Sequence, residues 1–347
     1  MSKQSQKSGD HSTNIQAQNV TITKGITVSE VRHIALDVFR SNFYSLAGEA
    51  ADVARKRAEE ITEHFLKQLQ NQYSDGLRQA EQPDFQYALY TVQREYVRSG
   101  DKELGDLLVD ILVDRTKHED RSILQIVLNE SLSVAPKLTT DQLAALSIIF
   151  IFRYTINRSL DSLVSLSSYL DLYVQPFVSL LTKKPACYQH LEYSGCGSIG
   201  IGSVDIAEPF RINYPGLFSG GFLVEGLAAR GIAVSTESPL FMRCLHYSER
   251  LQVNAMNEQV LRDEASKLGI ANIDTDKLVS LAKESLMNHE EVKQYLAQAR
   301  PYMKTIIDVW ENSPMKNFTL TSVGIAIGHA NVKKNLGEFT DLSIWIN

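Results

Sequence analysis

The chain has 347 residues, of which 44% are hydrophobic and 22% are charged, and its formal net charge at pH 7 is −6. This composition is typical of a globular protein with room for a sizeable core, and it argues against a disordered or fibrous chain. The acidic balance, without a dense run of lysine and arginine, argues against nucleic acid as a partner, because phosphate binding needs a local surplus of positive charge.

Cysteine usage and hydropathy indicate the compartment. The three cysteines, Cys187, Cys196 and Cys244, are too few and odd in number for a disulfide framework, which fits a reducing environment. The polar start of the chain lacks the apolar core of a signal peptide. The most apolar run, residues 143–152, is far shorter than the roughly 20 residues of a membrane span. We therefore expect a cytoplasmic protein without a membrane partner.

Residues 1–26 are interpreted as an N-terminal arm with short β segments. Ile15 and Ala17, and then Val20 and Ile22, alternate with polar residues, which is the period-two pattern of a strand. Two strands this short are not stable alone in water, so they either lie on the body of the protein or pair with strands of another copy. These four residues are therefore candidate oligomerisation residues and predict a homo-oligomer; an ordered arm without that role is the alternative.

Residues 27–182 are predicted to form a helical domain. Thr27 and Glu30 have the S/T-x-x-E spacing of a capping box, and the pattern after them predicts an amphipathic helix of about forty residues, bent near Gly48. Such a helix packs either within one domain or between subunits. Further helices are predicted over residues 84–98, 101–116 (capped by Asp101), 120–134, 143–152 (capped around residues 139–141) and 159–181, the last interrupted by Pro176.

Residues 183–347 are predicted to be mixed and mostly helical. Glycine and proline crowd residues 195–221, where no helical period survives, so we expect a small irregular β region there. A strand is expected at the end of the chain, over residues 342–346. Helices are predicted near residue 222 and over residues 254–268, 275–287, 290–311 and 321–334. The fold class is therefore mainly α: a helical bundle-like body with a short N-terminal β arm and a small irregular β region after residue 183.

Residues 195–200 read GCGSIG and satisfy the pattern G-x-G-x-x-G. In dinucleotide-binding proteins this pattern follows a buried strand and opens a helix, so that backbone amides and the helix dipole meet a pyrophosphate. Here the preceding residues are a poor buried strand and the following residues lack a helical pattern. A glycine-rich turn is the preferred interpretation, and a nucleotide-responsive protein or enzyme that uses residues 195–202 is the alternative.

Cysteine and histidine residues offer a possible metal site. Cys187 and His190, Cys196, and Cys244 and His246 could in principle supply zinc ligands, but C-x-x-H followed by C-x-H is not a familiar ligand spacing. The same residues could form a Cys–His nucleophile pair, and cysteines are also common as small buried residues. We therefore assign no metal ligand, no catalytic residue and no cofactor.

Aspartates recur every four residues at Asp106, Asp110 and Asp114, which would place three carboxylates on one face of a helix. Such a stack can bind a divalent cation, but basic residues follow closely enough to neutralise it. These are Arg115, Lys117 and Arg121. A solvated or salt-bridged helix face is therefore the preferred interpretation.

Small residues four apart, Gly324 and Gly328, lie in the last predicted helix. Glycines at this spacing let another backbone approach closely, and in a globular protein they indicate tight packing inside the core. His329 beside them is interpreted as a structural histidine.

Several stretches of the chain resemble known families. The opening SGDHSTNIQ (residues 8–16) and the ending DLSIWI (residues 341–346) are similar to those of a little-characterised bacterial family. LGDLLVDIL (104–112), LTTDQL (138–143) and LTSVGIAI (320–327) resemble segments of the abortive-infection alpha-type phage-defence proteins. The glycine-rich residues 195–221 depart from that second family, and neither resemblance implies catalytic residues.

The resemblance, the arm and the lack of a catalytic motif together favour a self-associating, non-enzymatic protein of bacterial phage defence. It would act as a sensor or an interaction protein, with a phage or host protein as a possible partner. The alternatives are the nucleotide-responsive protein or enzyme described above and a plain structural scaffold.

Overall fold

A computed structural model describes residues 26–42, 48–118, 120–337 and 339–346. Within these ranges the protein is mainly α-helical, with two small two-stranded sheets, which confirms the predicted fold class of the body. The predicted arm, with Ile15, Ala17, Val20 and Ile22, lies outside the described residues, so its strands stay a prediction.

The first half of the chain forms a helical body whose starts follow the expected caps. The Glu30 carboxylate accepts a hydrogen bond from the Thr27 amide at 2.7 Å, and the Thr27 hydroxyl accepts one from the Glu30 amide at 3.3 Å. Asp101 accepts from the Leu104 amide at 3.2 Å. The helices are α1 (Val28–Asn42), α2 (Glu49–Gln72), α3 (Pro83–Ser99), α4 (Lys102–Thr116), α5 (Ile123–Val134), α6 (Thr140–Tyr154), α7 (Leu163–Tyr169) and α8 (Gln175–Val178).

The predicted forty-residue helix is two helices, so that prediction is wrong in length although it located the break. α1 ends at Asn42 and α2 begins at Glu49. Gly48, immediately before α2, has a φ of 56° and a ψ of −135°. This conformation is not that of a right-handed helix, and glycine adopts it more readily than other residues do. A continuous helix cannot pass through it.

The predicted helix over residues 159–181 is also shorter and interrupted. Between α7 and α8, residues Leu170–Val174 form a π-helical turn, and Pro176 follows within α8. Proline lacks an amide hydrogen and its ring crowds the carbonyl four residues earlier, so the chain widens to the π form just before it.

The second half contains shorter helices and the predicted β region. Strand β1 (Gly197–Ile199) pairs antiparallel with β4 (Phe318–Leu320), and β2 (Phe241–Arg243) pairs antiparallel with β3 (Leu251–Val253). The helices are α9 (Pro185–Tyr193), α10 (Ala207–Asn213), α11 (Glu225–Ala229), α12 (Glu258–Lys267), α13 (Asn272–Glu284), α14 (His289–Ala299), α15 (Met303–Glu311) and α16 (Ser322–Leu336).

The expected strand over residues 342–346 is wrong, because the chain forms a 3₁₀ turn at Leu342–Ile344. The Asp341 side chain accepts a hydrogen bond from the Ser343 amide at 2.9 Å and so starts the turn. The Trp345 indole then donates to the Tyr154 carbonyl at 2.6 Å, which anchors the chain end on α6.

The core is built around α16, which packs against α4, α5 and α6. The Cβ that an alanine would add at Gly328 would lie 3.0 Å from the Leu146 carbonyl oxygen of α6. At Gly324 the same Cβ would lie 1.9 Å from the Cys196 carbonyl oxygen, beside β1. The interpretation of these two glycines as sites of tight core packing is confirmed.

A second, smaller hydrophobic cluster lies apart from the main core. It involves β2, β3, α12 and α13, and its members are Phe222, Leu227, Ile232, Val234, Leu240, Phe241, Val253, Leu261, Ala265, Leu278, Val279 and Leu281. The main core draws residues from Val31 through Ile346. The division of the chain at residue 183 stays a prediction about domains. In the described part of the chain, no helix has the length and apolar content to cross a membrane.

Candidate functional site

The glycine-rich segment does not have the geometry of a dinucleotide fingerprint. Helix α9 precedes it, β1 lies within it, and Gly197 packs against the paired strand β4. A Cβ at Gly197 would lie 2.2 Å from the Phe318 ring and 2.5 Å from the Thr319 carbonyl oxygen of the paired strand β4. Gly195 has a φ of 78°, in the left-handed region that favours glycine. These contacts account for the glycines at residues 195 and 197 without a ligand.

The cysteines and histidines do not converge on a metal site. All three cysteines are buried, and burial raises the pKa of the Cys187 and Cys196 thiols to about 12, so both are protonated and unreactive. The Cys244 thiol donates to the Ser219 carbonyl at 3.4 Å. His190 lies against Gln142, and His246 lies against the Leu217 carbonyl oxygen. Among the described residues, no group of three or more histidines, cysteines or carboxylates could hold a metal ion.

Asp110 and Asp114 of α4 lie near Lys333 of α16, and this lysine forms an ion pair with Asp114. Lys333 Nζ lies 2.8 Å from Asp114 Oδ1, and Lys117 Nζ lies 2.6 Å from the same atom. Burial alone would raise the pKa of Asp114, but the two lysines hold it below its ordinary value. Burial raises the pKa of Asp110 to about 6, even though Lys333 opposes the shift. The salt-bridged interpretation is confirmed for Asp114.

The other groups near this stack have partners of their own. Asp106 pairs with His64 at 3.3 Å. Arg115, expected to neutralise the stack, is instead buried and donates to Asp84, and its Nε donates to Asn129 at 3.3 Å. The expectation for Arg115 is therefore wrong, because the helix turns its side chain toward α3 and α5 rather than toward α16.

His329 lies in the core next to Gly328. Its Nε2 lies 2.6 Å from the Thr340 carbonyl oxygen, and its ring packs against Phe150 and Trp345. Burial lowers the pKa of His329, so the ring is neutral at pH 7 and donates from Nε2. His329 is therefore a core histidine with Nε2 hydrogen-bonded, whereas its buried Nδ1 has no hydrogen-bond partner among the described residues.

A cavity of about 570 Å³ lies between α10 and the second hydrophobic cluster. Its volume is within the range of roughly 300–1,000 Å³ that is typical of small-molecule sites, and its wall is mainly apolar. The apolar side chains include Ile212, Phe222, Val253, Leu261, Val279 and Leu286. The cavity is therefore a candidate ligand site.

The charged residues of the cavity lie near the ends of helices α10, α12 and α13. Glu208 and Arg211 lie three residues apart on α10, so both face the same side. Asn257 caps α12 by accepting from the Val260 amide at 3.0 Å, which places Glu258 at the first turn of that helix. Lys283 lies at the end of α13. These residues are therefore positioned by the first or last turn of a helix.

One charged group at the cavity is centred on Glu258. Its carboxylate lies 2.7 Å from Lys283 Nζ and accepts from Arg262 Nε at 2.9 Å and Nη2 at 2.8 Å. These bonds, that of Lys283 first, lower the pKa of Glu258, so the carboxylate stays ionised.

The other charged group is centred on Glu208. Its Oε2 lies 2.8 Å from His289 Nε2 and accepts from Arg211 Nη1 at 2.8 Å. The hydrogen bond to His289 and then that from Arg211 lower the pKa of Glu208. Behind them, Asp205 accepts from Lys293 at 2.8 Å. Arg211 Nε donates to the Met287 carbonyl at 2.9 Å, which ties the guanidinium to the loop before α14.

The hydroxyl side chain in the lining is not paired with a base. Ser219 is the one hydroxyl residue in the lining, and its Oγ accepts from the Gly221 amide at 3.2 Å rather than lying against a base. Sequence reasoning missed this cavity because its residues come from four separate segments between 208 and 286, each an ordinary helix or strand pattern. The four predicted oligomerisation residues, Ile15, Ala17, Val20 and Ile22, lie outside the described residues.

A family model described as ":-like" matches residues 25–346. No curated protein matches the chain, and no solved structure does. The match starts just before α1 and includes the ending at residues 341–346, whereas the opening at residues 8–16 lies outside it. It therefore spans the whole helical body and both sides of the cavity.

Proposed function

The chain belongs to the family that the ":-like" model describes, and since that description carries no activity, we propose its function from the cavity. The protein is a binding protein rather than an enzyme, and it senses a small, largely apolar molecule held between α10 and the second cluster. The observation that carries this proposal is the apolar cavity of about 570 Å³ with its polar groups confined to two charged clusters.

The setting that we propose for this sensor is bacterial phage defence of the abortive-infection type. Support for it comes from the resemblance of residues 104–112, 138–143 and 320–327 to phage-defence proteins. In such a setting, a ligand that appears during infection would bind the cavity and stabilise one state of the protein by mass action. The protein would then act on a phage or host protein through contact rather than catalysis.

The cavity proposal predicts saturable binding of an uncharged apolar probe. N-phenyl-1-naphthylamine, whose fluorescence rises in apolar surroundings, is expected to bind the full chain at one site. Ala282→Trp places an indole in the cavity and is expected to weaken probe binding about tenfold or more, because the ring occupies the space the probe needs. Fluorescence titration measures both.

The matched control is Ser280→Trp, which adds the same indole to an exposed position of the same helix. It is expected to bind the probe as the unchanged chain does, and circular dichroism checks that both variants keep their helices. Equal binding by the two variants, or absence of saturable binding to the unchanged chain, contradicts the proposed site.

Self-association through the N-terminal arm is part of the same proposal, and its support is the alternation of Ile15, Ala17, Val20 and Ile22. Deleting residues 1–23 is expected to lower the molar mass measured by light scattering without loss of helix content. Cells that express the full chain are expected to resist at least one phage of a diverse panel, and cells with the truncated chain are expected to lose that protection. An unchanged oligomeric state after truncation contradicts the role of the arm in assembly. If cells with the truncated protein still resist phage, the arm is not needed for defence.

A further inference from the structure

The hydrogen-bonding capacity around the cavity is unbalanced, although its lining charges cancel. Glu208 and Glu258 carry two negative charges, and Arg211 and Lys283 carry two positive charges. The carboxylate oxygens and the nitrogen donors differ in how many of them already form hydrogen bonds within the protein. An incoming head group therefore meets hydrogen-bond donors and acceptors in unequal supply.

The acceptors are largely occupied. Both oxygens of Glu258 are engaged, one by Lys283 and the other by two nitrogens of Arg262. In Glu208, Oε2 is engaged by Arg211 and by His289, whereas Oε1 has no partner among the described residues, so three of the four carboxylate oxygens are occupied. A cationic head group would have to compete with these charge-assisted bonds, which are about twice as strong as neutral ones.

Donors remain available on the same wall. Arg211 uses Nε on the Met287 carbonyl and Nη1 on Glu208, while its Nη2 has no partner among the described residues. Asn257 uses Oδ1 to cap α12, and within the described chain its Nδ2 also lacks a partner. Arg211 lines the cavity and its side chain is partly buried, so water competes less for its free N–H groups than at an exposed arginine.

We infer that the ligand of this cavity is a carboxylate with an apolar tail, whose head group accepts hydrogen bonds from Arg211 Nη2 and Asn257 Nδ2. This inference rests on the proposed function, because it presumes that the cavity binds a small molecule. The tail lies against the apolar wall, where burial of its surface supplies most of the affinity. The head group selects the ligand because it satisfies donors that the protein leaves free.

The experiment compares ligands that share one tail. Decanoate, 1-decanol and decylammonium compete against N-phenyl-1-naphthylamine on the full chain at pH 8, below their micelle concentrations. Decanoate is expected to displace the probe about tenfold more effectively than 1-decanol, because its hydrogen bonds to Arg211 are charge-assisted. Decylammonium is expected to be the weakest of the three.

Variants assign the preference to Arg211. Arg211→Gln keeps an amide that can reach the Met287 carbonyl but removes the guanidinium, so decanoate is expected to lose its advantage while 1-decanol binds as before. Arg243→Gln removes one positive charge at an exposed position outside the cavity lining and is the control, which is expected to keep the preference. If Arg211→Gln does not fold, the three-ligand comparison on the unchanged chain decides alone.

The outcomes separate the inference from the proposed function. Equal displacement by decanoate and 1-decanol overturns the carboxylate inference while the cavity remains a ligand site. A preference for decylammonium overturns it too. Absence of probe binding overturns the proposed function and the inference with it. A decanoate preference that survives Arg211→Gln, or one that Arg243→Gln also abolishes, overturns the role given to Arg211.

Discussion

Gly324→Ala is expected to destabilise the protein by about 3 kcal/mol or more, since inserting atoms into a packed core costs roughly 1–3 kcal/mol and more where backbone blocks relaxation. The added Cβ would lie 1.9 Å from the Cys196 carbonyl oxygen and 2.9 Å from its carbon. That carbonyl cannot easily turn aside, because it accepts the Thr321 amide at 3.1 Å and precedes the paired strand β1. Urea unfolding followed by circular dichroism measures the loss.

Two other glycines of the chain make a graded comparison. At Gly328 the added Cβ would lie 3.0 Å from the Leu146 carbonyl oxygen, so Gly328→Ala is expected to lose less stability than Gly324→Ala. Gly202 is exposed and has no atom within 4 Å of the added Cβ, so Gly202→Ala is expected to change stability by no more than about 0.5 kcal/mol. If Gly324→Ala is as stable as Gly202→Ala, α16 does not pack against this carbonyl in solution.

Lys333→Met is expected to cost about 3–5 kcal/mol at pH 7, the usual penalty for removing one partner of a buried ion pair. Lys333 and Asp114 are both buried, and the methionine would leave Asp114 with Lys117 alone. Asp110, also buried, would lose the nearby charge that favours its ionised form. Thermal or urea unfolding of the variant measures the cost.

The matched control is Lys334→Met on the same helix. Lys334 pairs with Glu103, an exposed carboxylate that water can solvate, so this change is expected to cost no more than about 1 kcal/mol. Equal losses in the two variants would contradict the role given to the buried pair.

The pH dependence of stability provides a separate check on Asp110. Its folded-state pKa of about 6 is above its ordinary value of 3.8, so the folded state binds this proton more tightly than the unfolded state. The stability that this proton contributes is present below about pH 4 and is lost as the pH rises through about 6. Asp110→Asn is therefore expected to increase stability at pH 7 and to flatten the profile between about pH 4 and 6. An unchanged profile would contradict the raised pKa.

Local signals in the sequence predicted the helical body well. Thr27 and Asp101 each cap the helix they were expected to cap, because capping depends on a side chain and an amide three residues apart. Glycine and proline also marked real breaks at Gly48 and Pro176. These features need no knowledge of the rest of the chain.

Features that depend on distant contacts could not be read from the sequence. Residues 342–346 have the apolar, β-branched composition of a strand, yet Asp341 starts a turn and the Trp345 indole binds a carbonyl of α6. The pair of Lys333 and Asp114 joins residues 219 positions apart. The cavity likewise combines short segments that carry no motif. Each of these is decided by tertiary packing, which overrides local preference.

The position of α16 in the chain has a consequence for synthesis on the ribosome. The helix that fills the centre of the core, residues 322–336, is made long after its partner α6, which ends at Tyr154. The apolar face of α6 therefore emerges from the ribosome long before the helix that covers it. The main core cannot close until α16 has also emerged, and until then α6 exposes apolar surface of the kind that makes folding intermediates prone to aggregation.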